Sequence, residues 1–88
     1  MQLLVRNTVK DFAVWYDVFM ADMPRGKPYG ISLERLWQSA EDPNTVFFVL
    51  NIEDKAKVDA FMALPKSAKV GELAGAIDGE IWYLEPVT

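Results

Sequence analysis

The chain has 88 residues, 51% of them hydrophobic and 25% charged, and carries a net charge of −4 from 13 acidic and 9 basic side chains. That balance describes one small globular domain, and its scattered Lys and Arg residues form no basic stripe, which argues against a nucleic-acid partner. Cysteine and histidine are both absent, which excludes disulfides, thiol nucleophiles, thiolate metal sites and the usual base near neutral pH; no metal, haem or other cofactor is expected, the methionines Met20, Met23 and Met62 being assigned to helices at or near the core.

Gln2–Thr8 carries Leu3, Leu4 and Val5 before turning polar at Arg6-Asn7, and is expected to be a short strand. The first residues lack the charged start and long apolar core of a signal peptide, and no apolar run approaches the roughly 20 residues of a membrane span. No membrane association is expected, and a cytoplasmic location is. Asp11 suits a helix N-cap. Phe12, Trp15, Tyr16, Phe19 and Met23 then recur at helical spacing as one apolar stripe, and Pro24 should end that helix.

Pro24–Gly30 reads as a loop, with two prolines and two glycines. Ile31–Ser39 follows as a strand with Ile31, Leu33, Arg35 and Trp37 on one face and Glu34, Leu36 and Gln38 on the other. Glu41-Asp42-Pro43-Asn44 supplies turn chemistry, so Thr45–Ile52 returns as the second strand of a hairpin. This strand is apolar on both sides: Val46, Phe48, Leu50 and Ile52 on one, Phe47 and Val49 on the other. A chain this short has helix enough to cover one side of a sheet. A second copy is the expected cover for the other, giving a homodimer through sheet faces.

Asp54 is a second candidate cap, for a helix presenting Val58, Phe61, Met62 and Pro65. Lys66–Ala74 continues it with Val70 and Leu73 inward, and Gly75 ends it. Asp78-Gly79 is expected to turn the chain into a last strand, Glu80–Glu85. The order β-α-β-β-α-β is the split βαβ, ferredoxin-like α+β arrangement, a four-stranded antiparallel sheet with helices on one face, in a single domain spanning residues 1–88.

Val9-Lys10-Asp11-Phe12 with Trp15 and Phe19, Gly30-Ile31, Asp42-Pro43-Asn44-Thr45-Val46, and Phe61 with Pro65 together resemble the small proteins of the dimeric α+β barrel superfamily. The resemblance runs from about Leu3 to Glu85. It is similar to antibiotic-biosynthesis-monooxygenase-like members and implies a homodimeric barrel. The superfamily also contains haem-degrading enzymes, isomerases and cyclases, several of which work through histidine; this chain has none, so those chemistries do not carry over. Cofactor-independent oxygenases of the fold use Asn, Trp and Tyr around a quinol-like substrate, side chains that this chain does possess.

Several side chains qualify for a ligand site, each beside a plainer reading. The stripe of Phe12, Trp15, Tyr16 and Phe19 could line a pocket for a flat apolar molecule, or simply fill a core. Asn7 and Asn51 interrupt apolar strand faces; each could orient a ligand oxygen, or bond to chain and solvent. Arg6 or Arg35 could hold a carboxylate or pair with a neighbour, and Trp37 and Trp82 complete the set. Two functions follow: a protein binding a small apolar or aromatic molecule, extending to a cofactor-independent monooxygenase-like enzyme, or a non-catalytic structural or interaction module with a fully packed interior.

Overall fold

A computed structural model describes all 88 residues. β1 (Gln2–Val9), α1 (Phe12–Asp22), a 3-10 helix (Met23–Tyr29), β2 (Ile31–Gln38), β3 (Thr45–Ile52), α2 (Lys55–Met62), α3 (Pro65–Ala74) and β4 (Ala76–Leu84) follow in order. The strands form one antiparallel sheet in the order β2-β3-β1-β4, and the helices lie on one side of it. No helix is long and apolar enough to cross a membrane.

The boundaries have local causes. Asp11 caps α1 by accepting from the Val14 backbone N–H at 3.1 Å, and Asp54 caps α2 through Lys57 at 2.8 Å. Asn44 ties the β2–β3 hairpin to the start of α1, its Oδ1 accepting from the Phe12 backbone N–H at 3.2 Å. The expected loop at Pro24–Gly30 is instead largely the 3-10 helix. Proline is at home in its first turn, and Gly30 ends it at φ 70°, in the left-handed region.

The core packs the inward face of β1 and β3 against α1. Leu3, Val5, Val9, Val46, Phe48 and Ile52 are buried beneath Trp15. Trp15 is 2% exposed and stacks on Phe19 at 4.6 Å, with Phe48 tilted against it at 5.8 Å. The inward stripe of α1 is therefore Phe12, Trp15, Val18 and Phe19. Tyr16 is exposed and lies outside it, stacked on Phe12. Leu73 is likewise turned outward, 66% exposed, because α3 turns Ser67, Val70, Gly71 and Ala74 inward instead, with Ala74 buried and the other three half-buried.

Two strand expectations change. The β2–β3 register slips between Leu33 and Arg35, so Glu34 is an extra residue. A one-residue slip exchanges the faces. Ile31, Leu33, Leu36 and Gln38 pair with the inward row of β3, while Arg35 and Trp37 pair with Val49 and Phe47 on the open face. The expected Asp78-Gly79 turn is absent, and both residues are strand, opposite Thr8 and Asn7. Gly75, at φ 74°, already makes the reversal into β4.

Candidate functional site

The helix layer does not close over the whole sheet. Between α1–α3 and the inward side of β1 and β4 lies a cavity of about 540 Å³, with 16 hydrophobic residues among its 24 lining residues. Its position follows from the sheet order. β4 is an edge strand, and Ile81, although it faces the helices, remains 53% exposed. Trp15, Phe19 and Phe48 form the deep wall, and Met62 stands exposed beside the opening.

Two glycines shape the space. Gly71 is on the inward stripe of α3, and a Cβ placed there would meet nothing within 4 Å. Gly79 is in the middle of β4, where a Cβ would come within 2.9 Å of the Arg6 carbonyl oxygen and would collide with the Asn7 side chain. Gly71 leaves bulk out of the roof of the cavity, whereas Gly79 lets the Asn7 side chain lie against the strand in its floor.

Polar groups enter at separate places. Asn7 is on the floor beside Gly79. Tyr83 pairs with Leu3, four residues further along β1, about 13 Å away at strand spacing. Burial pushes the Tyr83 hydroxyl above the ordinary tyrosine range, and the nearby Asp59 carboxylate adds to it. Arg25 closes a third side. Its Nε donates to Asp22 Oδ1 at 2.8 Å, and its Nη2 donates to Asp22 Oδ2 at 3.1 Å and to Ser67 Oγ at 2.9 Å. The guanidinium also lies 4.3 Å from the centre of the Phe61 ring. The hydrogen bond to Asp22 raises the Arg25 pKa further, against the opposing effect of burial.

The expected site residues thus divide. Asn7, Trp15 and Phe19 line the cavity. Tyr16 is outside it. Arg35, Trp37, Asn51 and Trp82 are on the opposite, open face of the sheet. There Asn51 is occupied, donating to Glu34 Oε2 at 2.7 Å and accepting from Gln2 at 3.2 Å. Arg35 stands over the Trp37 ring at 5.9 Å and forms no ion pair. Trp37 is 44% and Trp82 41% exposed. Together with Leu4, Phe47, Val49 and Leu84 they make the open face broadly apolar.

Gly71, Gly79 and Arg25 are not among the expected residues. The signal for the glycines was their place inside regular elements, where glycine weakens a helix or strand and often marks a close approach. No group of three or more His, Cys, Asp or Glu side chains is gathered as a metal site would require.

No protein-family model matches the sequence, and no curated protein matches it. Solved structures do. One antibiotic biosynthesis monooxygenase structure aligns over 99% of this chain and 98% of its own at 15% identity, with a TM-score of 0.75. A structure from Deinococcus radiodurans, described as an antibiotic biosynthesis monooxygenase, aligns over 100% and 95% at 11% identity and a TM-score of 0.73. SnoaB from Streptomyces nogalater, a cofactor-independent oxygenase solved as an asparagine-to-alanine variant, aligns over 98% and 93% at 14% identity and a TM-score of 0.75. The chain has the ferredoxin-like α+β fold of the antibiotic biosynthesis monooxygenase structures, along nearly its whole length.

Proposed function

We propose that the protein binds a small apolar, ring-bearing molecule in the cavity between its helices and its sheet, and works as a homodimer joined through the open sheet faces. The cavity is the observation that carries the binding reading. Its volume of about 540 Å³ falls within the roughly 300–1,000 Å³ of small-molecule sites. A mainly apolar wall with a few convergent polar groups is the usual composition of such sites. A structural module with a filled interior would have a side chain where Gly71 leaves open space.

Ligand binding should appear as stabilisation. A site held at a hundred times its dissociation constant gains about 2.7 kcal/mol, a melting shift on the order of 10 °C for a domain of this size. A panel of bicyclic aromatics that leaves the melting temperature unmoved at saturating concentration would count against the reading.

The names of the structural neighbours add a chemistry, oxygenation without a cofactor. In this cavity the substrate itself would have to supply the electrons. A phenolic ring such as 1-naphthol would lose one ring hydrogen and its hydroxyl hydrogen and gain one oxygen atom from O₂ as a quinone carbonyl. The second oxygen would leave as water with those two hydrogens. Protein-dependent oxygen uptake with 1-naphthol supports this step; binding without uptake confines the function to binding.

A further inference from the structure

Resting on the reading of the cavity as a ligand site, we propose that α2 is a hinged lid over that cavity, latched by Arg25, and that the ligand enters and leaves when Arg25 releases Phe61. α2 contributes Val58, Asp59, Phe61 and Met62 to the cavity wall. Of its residues Val58 alone is buried. The helix packs chiefly on the 3-10 helix and on α3. An element with so little buried apolar surface opens locally at a fraction of the free energy of global unfolding.

Both ends of α2 suit a hinge. Asp54 leads into it from extended backbone, at φ −159° and ψ 164°. Leu64 follows it at φ −64° and ψ 136°, directly before Pro65, and gives α3 no side-chain cap. Non-helical residues at the ends of an element are the ones that absorb the dihedral changes of a hinge.

The latch is at the C-terminal end of α2. Arg25, gripped by Asp22 through two hydrogen bonds, stands 4.3 Å from the centre of the Phe61 ring. Tyr29 meets the same ring edge-on at 5.6 Å. Ser67 Oγ accepts from Arg25 Nη2 at 2.9 Å and donates to the Phe61 carbonyl oxygen at 2.6 Å. One guanidinium thus fastens the end of α2 to α1, the 3-10 helix and α3. The seat is imperfect, because Arg25 Nη1 is buried without a partner, alone among the buried side-chain nitrogen and oxygen atoms. An unpaired buried donor carries the full penalty of its lost hydration. Swinging α2 outward lifts Phe61 off the guanidinium and admits water to Nη1. The closed state keeps the cation–π contact and the Ser67 bonds, and the open state regains the hydration. Such offsetting gains make two populated arrangements between which a ligand selects.

The test is amide hydrogen exchange of the unliganded protein and of Arg25→Met, followed by stopped-flow binding of 1-naphthol to both. In the unaltered protein the α2 amides should exchange roughly tenfold or more faster than those of the central strands β1 and β3. Arg25→Met should speed exchange in α2 by a further factor of about ten and leave β1 and β3 unchanged. Association and dissociation of 1-naphthol should both quicken in Arg25→Met, with the affinity altered less than either rate, a result that mere loosening of the fold would not give. Ser67→Ala, which removes the hydroxyl between Arg25 and Phe61, serves if Arg25→Met does not fold. Exchange of α2 in step with β1 and β3 overturns the lid. A variant whose exchange quickens throughout the chain or not at all, or whose association is no faster, overturns the latch. Absence of 1-naphthol binding to the unaltered protein overturns the cavity reading and the gating of it, whereas the opening of α2 is judged by exchange alone.

Discussion

Trp15 and Tyr83 show how one side chain's surroundings decide its role. Trp15 is enclosed by Phe12, Phe19 and Phe48, so its large burial serves the core while one part of it faces the cavity. Trp15→Ala should cost roughly 3–5 kcal/mol, as large aromatic truncations in cores do; a loss under about 1 kcal/mol in urea unfolding would place it among surface positions. Tyr83 is different, since its hydroxyl is pushed above the ordinary range by burial and by Asp59. A raised folded value keeps its contribution to stability complete below the unfolded tyrosine value of about 10 and removes it as pH rises through the folded value. Absorbance titration should show a tyrosine step above the ordinary range, and Tyr83→Phe should abolish it. A Tyr83→Phe variant with the late step intact would contradict the burial assigned to Tyr83.

At the scale of elements, α3 tells most about function. It places Gly71 on its inward stripe, opposite the sheet, with nothing within 4 Å of where a Cβ would stand. Glycine inside a helix costs roughly 0.8–1 kcal/mol relative to alanine. Gly71→Leu should therefore raise stability by about 0.5–1 kcal/mol or more, read as a higher urea midpoint, while it fills the cavity. A drop in stability would mean that the space is not there to be filled. The order of strands and helices was legible in the sequence because two-residue and helical periodicities, the caps at Asp11 and Asp54 and the turn at Asp42–Asn44 are local signals. Two of the expected site residues change face because of a single inserted residue. The bulge at Glu34 moves Arg35 and Trp37 to the open face, and no composition of β2 announces it. Asp78-Gly79 carries turn chemistry, yet Asp78 is held in the strand by Arg6 at 3.3 Å and Gly79 yields space to Asn7; both causes are contacts with β1, more than seventy residues earlier in the chain. The cavity was illegible for the same reason, since its lining comes from strands and helices far apart in the chain.

For the whole molecule, the open face of the sheet is the surface through which the proposed homodimer would join. Strands of eight residues and four strands abreast span about 26 Å by about 19 Å, and the corrugated surface is of the order of the roughly 800 Å² that a standard interface takes from each partner. Its centre is apolar, with Leu4, Phe47, Val49, Trp37 and Trp82. Its charges are self-complementary: Arg6 faces two carboxylates, Asp78 and Glu80, at 3.3 and 3.1 Å, whereas Arg35 has none. A two-fold pairing can bring Arg35 of each copy to the surplus carboxylate of the other. Sedimentation at micromolar concentration should give a dimer, and Trp82→Arg, at a position already exposed in the single chain, should give a folded monomer. A monomeric mass for the unaltered protein would contradict this assembly.

The cavity as a ligand site is the claim on which the functional account stands, and Gly71→Leu tests it most directly. Calorimetric titration with 1-naphthol should show saturable binding to the unaltered protein and at least a tenfold loss in Gly71→Leu, with the variant's unfolding midpoint equal to or above that of the parent. Equal affinity in the two proteins, or no binding to the unaltered one, would contradict it.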